Sequence, residues 1–129
     1  IVSLKGPGVK MSASIPESRV LVHDSEEIIR DRISKAYCPV GVVQDNPVLQ
    51  LTKHIVFPLS HRFTIARDKK FGGDVTYKNY QTLESGFMNK TLHPSDLKLA
   101  LSEQFIHIFK RVRDYFEKHA DVIPQHLLK

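Results

Sequence analysis

Apolar residues recur every three or four positions through the last third of the chain, at Leu97, Leu101, Phe105, Ile108, Val112 and Phe116. That spacing predicts a long amphipathic helix over about 94–118, opened by His93-Pro94-Ser95-Asp96. The same period appears more briefly at Ile29, Ile33 and Ala36, which predicts a helix over about 25–37. Asp24 there reads as an N-cap, with Glu27 completing a capping box. Asn46-Pro47 is a further helix start, cap followed by Pro at the first helical position. Val48, Leu51 and Ile55 supply its buried side, and Pro58 is expected to stop it. Between these helices the period changes. Arg62-Phe63-Thr64-Ile65-Ala66 alternates like a strand, and Val75-Thr76-Tyr77 is its natural partner across the loop 67–74. Asn79 is placed to cap another helix over about 79–88, with Leu83 and Phe87 inward.

The front of the chain lacks such a period. Ile1 to Leu4 reads as the end of a strand, Gly6-Pro7-Gly8 as a turn, and Ser12, Ser14 and Pro16 continue a loop. The tail 121–129 is expected to add a short helical turn. The fold class is therefore mainly α: a compact helical unit with a small two-stranded β-hairpin, preceded by an irregular loop segment. We divide the chain into 1–22, the loop segment, and 23–129, the helical domain. A chain that opens inside an apolar, strand-like stretch without an initiator Met is expected to be a piece of something longer.

Composition narrows the class only a little. Of 129 residues, 41% are hydrophobic, enough for a modest core, and the net charge is +5. A mild basic excess favours anionic partners such as nucleic acid or phosphate. A single cysteine, Cys38, cannot form an internal disulfide, and no Cys/His spacing suggests zinc. It reads as a semi-buried thiol in a reducing compartment. No apolar run approaches the roughly 20 residues a membrane span needs. His54, His61, His107, His119 and His126 form no metal spacing.

Two places carry candidate chemistry. Lys10, Ser12 and Ser14 follow the Gly-Pro-Gly turn. A mobile ammonium with hydroxyl and amide donors suits phosphate, although an exposed loop with a chance lysine has the same look. The second set is Lys69, Lys70 and Phe71 on the hairpin loop, with His93, Asp96 and Lys98 at the start of the long helix. An aromatic or imidazole face stacks on an unpaired base for about 1–3 kcal/mol. A carboxylate accepts the adjacent N1–H and N2–H₂ donors of guanine, and lysines hold phosphates. Each residue also has a structural alternative. Asp96 lies where a helix dipole favours a carboxylate, His93 is placed to cap the helix, and Phe71 is able to pack inward.

Lys10-Met11-Ser12-Ala13-Ser14 is similar to the Lys-Met-Ser-Lys-Ser signature of class I aminoacyl-tRNA synthetases, with Ala13 where the signature has its second lysine. Phe71-Gly72-Gly73-Asp74 and Leu92-His93-Pro94-Ser95-Asp96-Leu97-Lys98 resemble paired motifs of the archaeal and eukaryal tyrosyl-tRNA synthetases. Ala36-Tyr37-Cys38-Pro39 and Lys53-His54-Ile55-Val56-Phe57-Pro58-Leu59 match as well, so the resemblance runs from about Lys10 to Phe116. It implies a C-terminal anticodon-binding domain for tRNA(Tyr), attached to a cytoplasmic tyrosine–tRNA ligase. By that resemblance Phe71 and His93 hold the first anticodon base, a guanine, and Asp96 bonds its edge. Lys69, Lys70 and Lys98 are the accompanying cations. Lys10, Ser12 and Ser14 would face ATP, used with Mg in the parent enzyme. No His-Ile-Gly-His-like motif or tyrosine pocket is present in these residues. The chain is therefore expected to be inactive alone and to hold no ATP by itself. The family's homodimer contact lies mainly on the catalytic domain, which leaves a monomeric fragment open. Two alternatives remain: a tryptophanyl enzyme, where Lys-Met-Ser-Ala-Ser also occurs, and a free-standing RNA-binding or protein-interaction module.

Overall fold

The structure is a computed structural model that describes residues 4–6 and 24–118. Helix α1 covers Glu26–Ser34. Next comes a single helical run of three parts: α2 (Pro47–Leu51), a π-helical turn (Thr52–Val56) and α3 (Phe57–Ser60). Strands β1 (Phe63–Ile65) and β2 (Val75–Tyr77) form the hairpin, α4 spans Tyr80–Met88, and α5 spans Pro94–Lys118. The expected fold class holds, and the boundaries of α4 and α5 fall within a residue of expectation.

The core forms where the predicted apolar faces meet. Ile29 and Ile33 of α1, Val48 and Leu49 of α2, and Leu83 and Phe87 of α4 are buried together with Leu97, Leu101 and Phe105 of α5. Burying one such side chain contributes about 1.5–3 kcal/mol. The hairpin joins through its alternation: Phe63 and Ile65 point inward while Thr64 faces out. The strands are antiparallel, with Phe63 opposite Tyr77, Thr64 opposite Thr76 and Ile65 opposite Val75. The two outward threonine hydroxyls meet at 2.8 Å. Phe57 makes edge-on contacts with Phe63 and Tyr80, each at a centroid distance of 6.3 Å, which ties α3 to the hairpin and to α4.

Three local expectations change. Ser25, not Asp24, caps α1, its hydroxyl accepting from Ile28 N at 3.2 Å. Asp24 instead pairs with Arg32 at 3.0 Å, so the Asp24–Glu27 capping box does not form. The helix also stops at Ser34, short of 37. Pro58 does not stop its helix. The preceding π-turn, in which Phe57 N donates to Thr52 O, widens the spiral where proline brings no donor and needs room for its ring. The helix ends at His61, in a left-handed conformation with φ 60°. At the front, Leu4 and Lys5 form a turn, and the rest of the expected strand end, residues 1–3, lies outside the described residues. Leu4 is buried in the core, and its carbonyl accepts from Tyr37 N at 2.8 Å. The expected turn in the tail lies outside the described residues.

Asn46 shows how a cap also organises a loop. Its Oδ1 accepts from Leu49 N at 3.2 Å, while Nδ2 donates to Val42 O at 3.0 Å and to Cys38 Sγ at 3.5 Å. One fully buried amide thus satisfies the start of α2 and the loop that reaches it.

Candidate nucleic-acid interface

The hairpin loop is shaped by its own short hydrogen bonds. The Asp68 carboxylate accepts from Lys70 N at 3.0 Å and opens a 3-10 turn over Lys69–Phe71. Gly72 and Gly73 follow with φ of 104° and 74°, left-handed values that glycine adopts without strain. Their amides donate back to Lys69 O and Asp68 O at 3.0 and 3.1 Å. Lys69 and Lys70 are exposed on this turn.

Arg67 connects the turn to the rest of the site. Its Nε donates to Gly73 O at 2.8 Å, and its Nη1 donates to Thr91 O at 3.0 Å. The guanidinium therefore bridges the hairpin loop and the connection between α4 and α5. That connection is itself anchored at Gly86, whose carbonyl accepts from Thr91 N, Leu92 N and the Thr91 hydroxyl at 3.0–3.1 Å. A side chain at Gly86 would place its Cβ 3.0 Å from the Tyr77 hydroxyl oxygen, a contact tight enough that the tyrosine would have to shift by a few tenths of an ångström. Leu92, next in the chain, is fully buried.

His93 then caps α5. Its Nδ1 accepts from Ser95 N at 3.1 Å and lies 2.6 Å from the Ser95 hydroxyl. An amide donor at Nδ1 places the ring proton of neutral His93 on Nε2. The capping role set out as an alternative is therefore real, and it orients an exposed imidazole. Asp96 sits one step further, half-buried in the first turn of α5. It lines a recess of about 440 Å³ with Thr64, Ala66 and Gln104, on the side of α5 that meets β1, whereas His93 borders a different cleft. Lys98 lies on another side. Its Nζ donates to Ser34 O at 3.1 Å, and with His93 and Cys38 it lines a cleft of about 820 Å³ between α1 and the start of α5.

Of the expected set, Lys69, Lys70 and Phe71 share one turn, and His93 and Asp96 share one helix start, joined to that turn through Arg67 and Thr91. Lys98 instead caps the end of α1. Lys10, Ser12 and Ser14 lie outside the described residues. Arg67, Thr91 and Gly86 were not among the candidates. Arg67 looks like one more charge in a charged loop, and only its two acceptors, Gly73 and Thr91, distinguish it. Cys38 is half-buried. Burial pushes its thiol pKa up, while the Asn46 amide and the charge of Lys98 pull the other way. Among the described residues no cluster of three His, Cys, Asp or Glu is able to hold a metal ion, and no helix is long and apolar enough to cross a membrane.

Residues 1–110 match the family model described as tRNA synthetases class I (W and Y), and the chain belongs to that family. Proteins to which it is similar include several of the tyrosyl kind. It is 47% identical over 122 residues to the tyrosine–tRNA ligase of Thermococcus sibiricus, covering 94% of this chain and 32% of that protein. Against the tyrosine–tRNA ligase of Pyrococcus abyssi the identity is 46% over 114 residues, covering 88% of this chain and 30% of that one. The tyrosyl-tRNA synthetase of Archaeoglobus fulgidus, solved with L-tyrosine, superposes with a TM-score of 0.82 at 38% identity, covering 88% of this chain and 34% of that one. The chain thus spans about a third of the length of the curated relatives it matches.

Proposed function

We propose that this chain is the tRNA-reading portion of a cytoplasmic tyrosine–tRNA ligase, which uses ATP with Mg to attach tyrosine to tRNA(Tyr). Residues 23–129 form the anticodon-binding domain, and 1–22 carry the loop that belongs to the catalytic side. The bridge from Arg67 to Gly73 and Thr91 is the observation that supports this most, because it links the Phe71 turn to the His93–Asp96 helix start. Stacking needs two faces held at a fixed separation, and a rigid link between the two segments provides that.

In this reading Phe71 and His93 stack on the first anticodon base, and the Asp96 carboxylate accepts from N1–H and N2–H₂ of guanine. Adenine, cytosine and uracil offer no such adjacent pair of donors, so the carboxylate selects guanine. Lys69 and Lys70 contribute phosphate attraction without regard to sequence. Lys98 acts at closer range, from the cleft it shares with His93. Lys10, Ser12 and Ser14 would hold the triphosphate, where ATP supplies the activating pyrophosphate leaving group. Ala13 leaves Lys10 as the one cation of that motif.

Aminoacylation kinetics of full-length ligase carrying Asp96→Ala test the reading. The ratio of kcat/KM for tRNA with guanine at the first anticodon position to that for tRNA with another base there should fall about tenfold or more. Lys69→Ala or Lys70→Ala should lower kcat/KM for both tRNAs alike. An undiminished guanine preference in Asp96→Ala rejects the assignment.

A further inference from the structure

We infer that Arg67 is a positioning residue for guanine selection, acting through backbone geometry and not as a phosphate contact. This rests on the reading of Phe71, His93 and Asp96 given above. The guanidinium is planar and its donors diverge at fixed angles, so one side chain reaches two carbonyls belonging to separate segments. Nε takes Gly73 O at 2.8 Å, just beyond the Phe71 turn, and Nη1 takes Thr91 O at 3.0 Å, two residues before His93. The third nitrogen, Nη2, lies against the turn itself, where a Cβ on Gly72 would come within 2.9 Å of it. Gly72 therefore does two things: it adopts a φ of 104°, and it leaves room for Nη2 of the guanidinium beside the loop.

Both ends of the bridge are firm. Thr91 is fixed by the Gly86 carbonyl and by Asn89 Oδ1, 2.9 Å from its hydroxyl. At the other end, Asp74 Oδ1 accepts from the Arg67 amide at 3.4 Å and closes the loop at its base. Remove the bridge, and the hairpin loop keeps its own turn and β1 still packs on α5, but the loop loses its hydrogen-bonded tie to the segment before His93. The separation between the Phe71 turn and His93 is then less firmly set. A cationic side chain in a basic loop otherwise suggests phosphate attraction. Here two of the five N–H donors are turned to backbone carbonyls of two separate segments, which marks a structural use.

Arg67→Lys separates the two roles. It keeps the charge, but one ammonium does not reproduce the forked reach to both carbonyls. In full-length ligase, the preference for guanine over another first anticodon base, as a ratio of kcat/KM, should fall about tenfold in Arg67→Lys and equally in Arg67→Gln. Tyrosine-dependent ATP–pyrophosphate exchange should stay at the wild-type level in both, which also reports intact folding of the enzyme. Full retention of the preference in Arg67→Lys with loss in Arg67→Gln would mean that charge alone matters and overturns the inference. So does an unchanged ratio in both. Asp96→Ala run alongside distinguishes the failures. If it keeps the preference, the reading of the whole site fails. If it loses the preference while Arg67→Lys does not, only the positioning role fails.

Discussion

The two halves of α5 carry the same pattern and meet different surroundings. From Leu97 to Ile108 its apolar stripe is buried, with Leu97 and Leu101 fully enclosed and Phe105 2% exposed. From Phe109 onward the stripe continues in sequence, but Val112 and Phe116 are only half-buried and Tyr115 is 54% exposed. With Leu59 and Ile108 these residues line a recess of about 510 Å³. An amphipathic period says that a helix has one apolar face. Whether that face is covered depends on which other elements reach it. Among the described residues, helix α1, the hairpin and the π-turn pack on α5.

That contrast is open to direct measurement. Phe105→Ala should cost about 3–5 kcal/mol, since it opens a cavity among residues with nowhere to move. Phe116→Ala, on the half-exposed stretch, should cost less than about 1.5 kcal/mol. Urea denaturation followed by circular dichroism gives both values, and similar costs at the two sites would break the distinction. Asn46→Ala should fall between these two, at about 2 kcal/mol, because the cap, the loop tie to Val42 and the contact with Cys38 all depend on one buried amide. Native-state hydrogen exchange sharpens the picture further. Amides from Leu101 to Ile108 should exchange by global opening, and those from Val112 to Lys118 by cheaper local fraying.

The smallest effect is a pH dependence. Burial raises the Tyr77 phenol, with the charge of Arg67 opposing, and burial also raises Tyr80, reinforced by Glu84. Both side chains are buried and ionise only in alkaline solution, so the effect is confined to high pH. A pKa higher in the folded state means that the folded protein holds its proton more tightly. This stabilisation is complete below the ordinary tyrosine value near 10 and declines as pH rises above it. The Cys38 thiol, raised by burial as well, begins to act near its ordinary value of about 8.5, so the urea midpoint should be flat from pH 7 to 8 and fall from there to pH 11. A midpoint that rises over that last interval would contradict the assignment.

Much of this was legible from the chain. Asn46-Pro47 and Asn79 announce helix starts because their side chains satisfy local amides with little help from elsewhere. The alternation at Phe63 and Ile65 and the stripe of α5 identify elements by period. The misreadings share a cause. Asp24 and Ser25 are both good caps by type, and Asp24 was drawn off by Arg32, a partner eight residues away. Pro58 is a helix breaker by local rules, and the π-turn ahead of it absorbs the conflict. Of the candidate site, His93 and Asp96 were legible as chemistry at a helix start. Arg67 was not, because its meaning lies in the carbonyls it reaches, one of them 24 residues away.

Sequence alone determined the helical class, the hairpin, the order of the elements and the paired motifs that carry the family resemblance. Those features depend on short-range periodicity and on side chains that bond their own neighbours. Tertiary structure decided which half of the α5 stripe is covered, which of two caps is used, and how the Phe71 turn is fastened to His93. These depend on contacts between segments far apart in the chain, and no local pattern encodes which distant carbonyl a guanidinium will find.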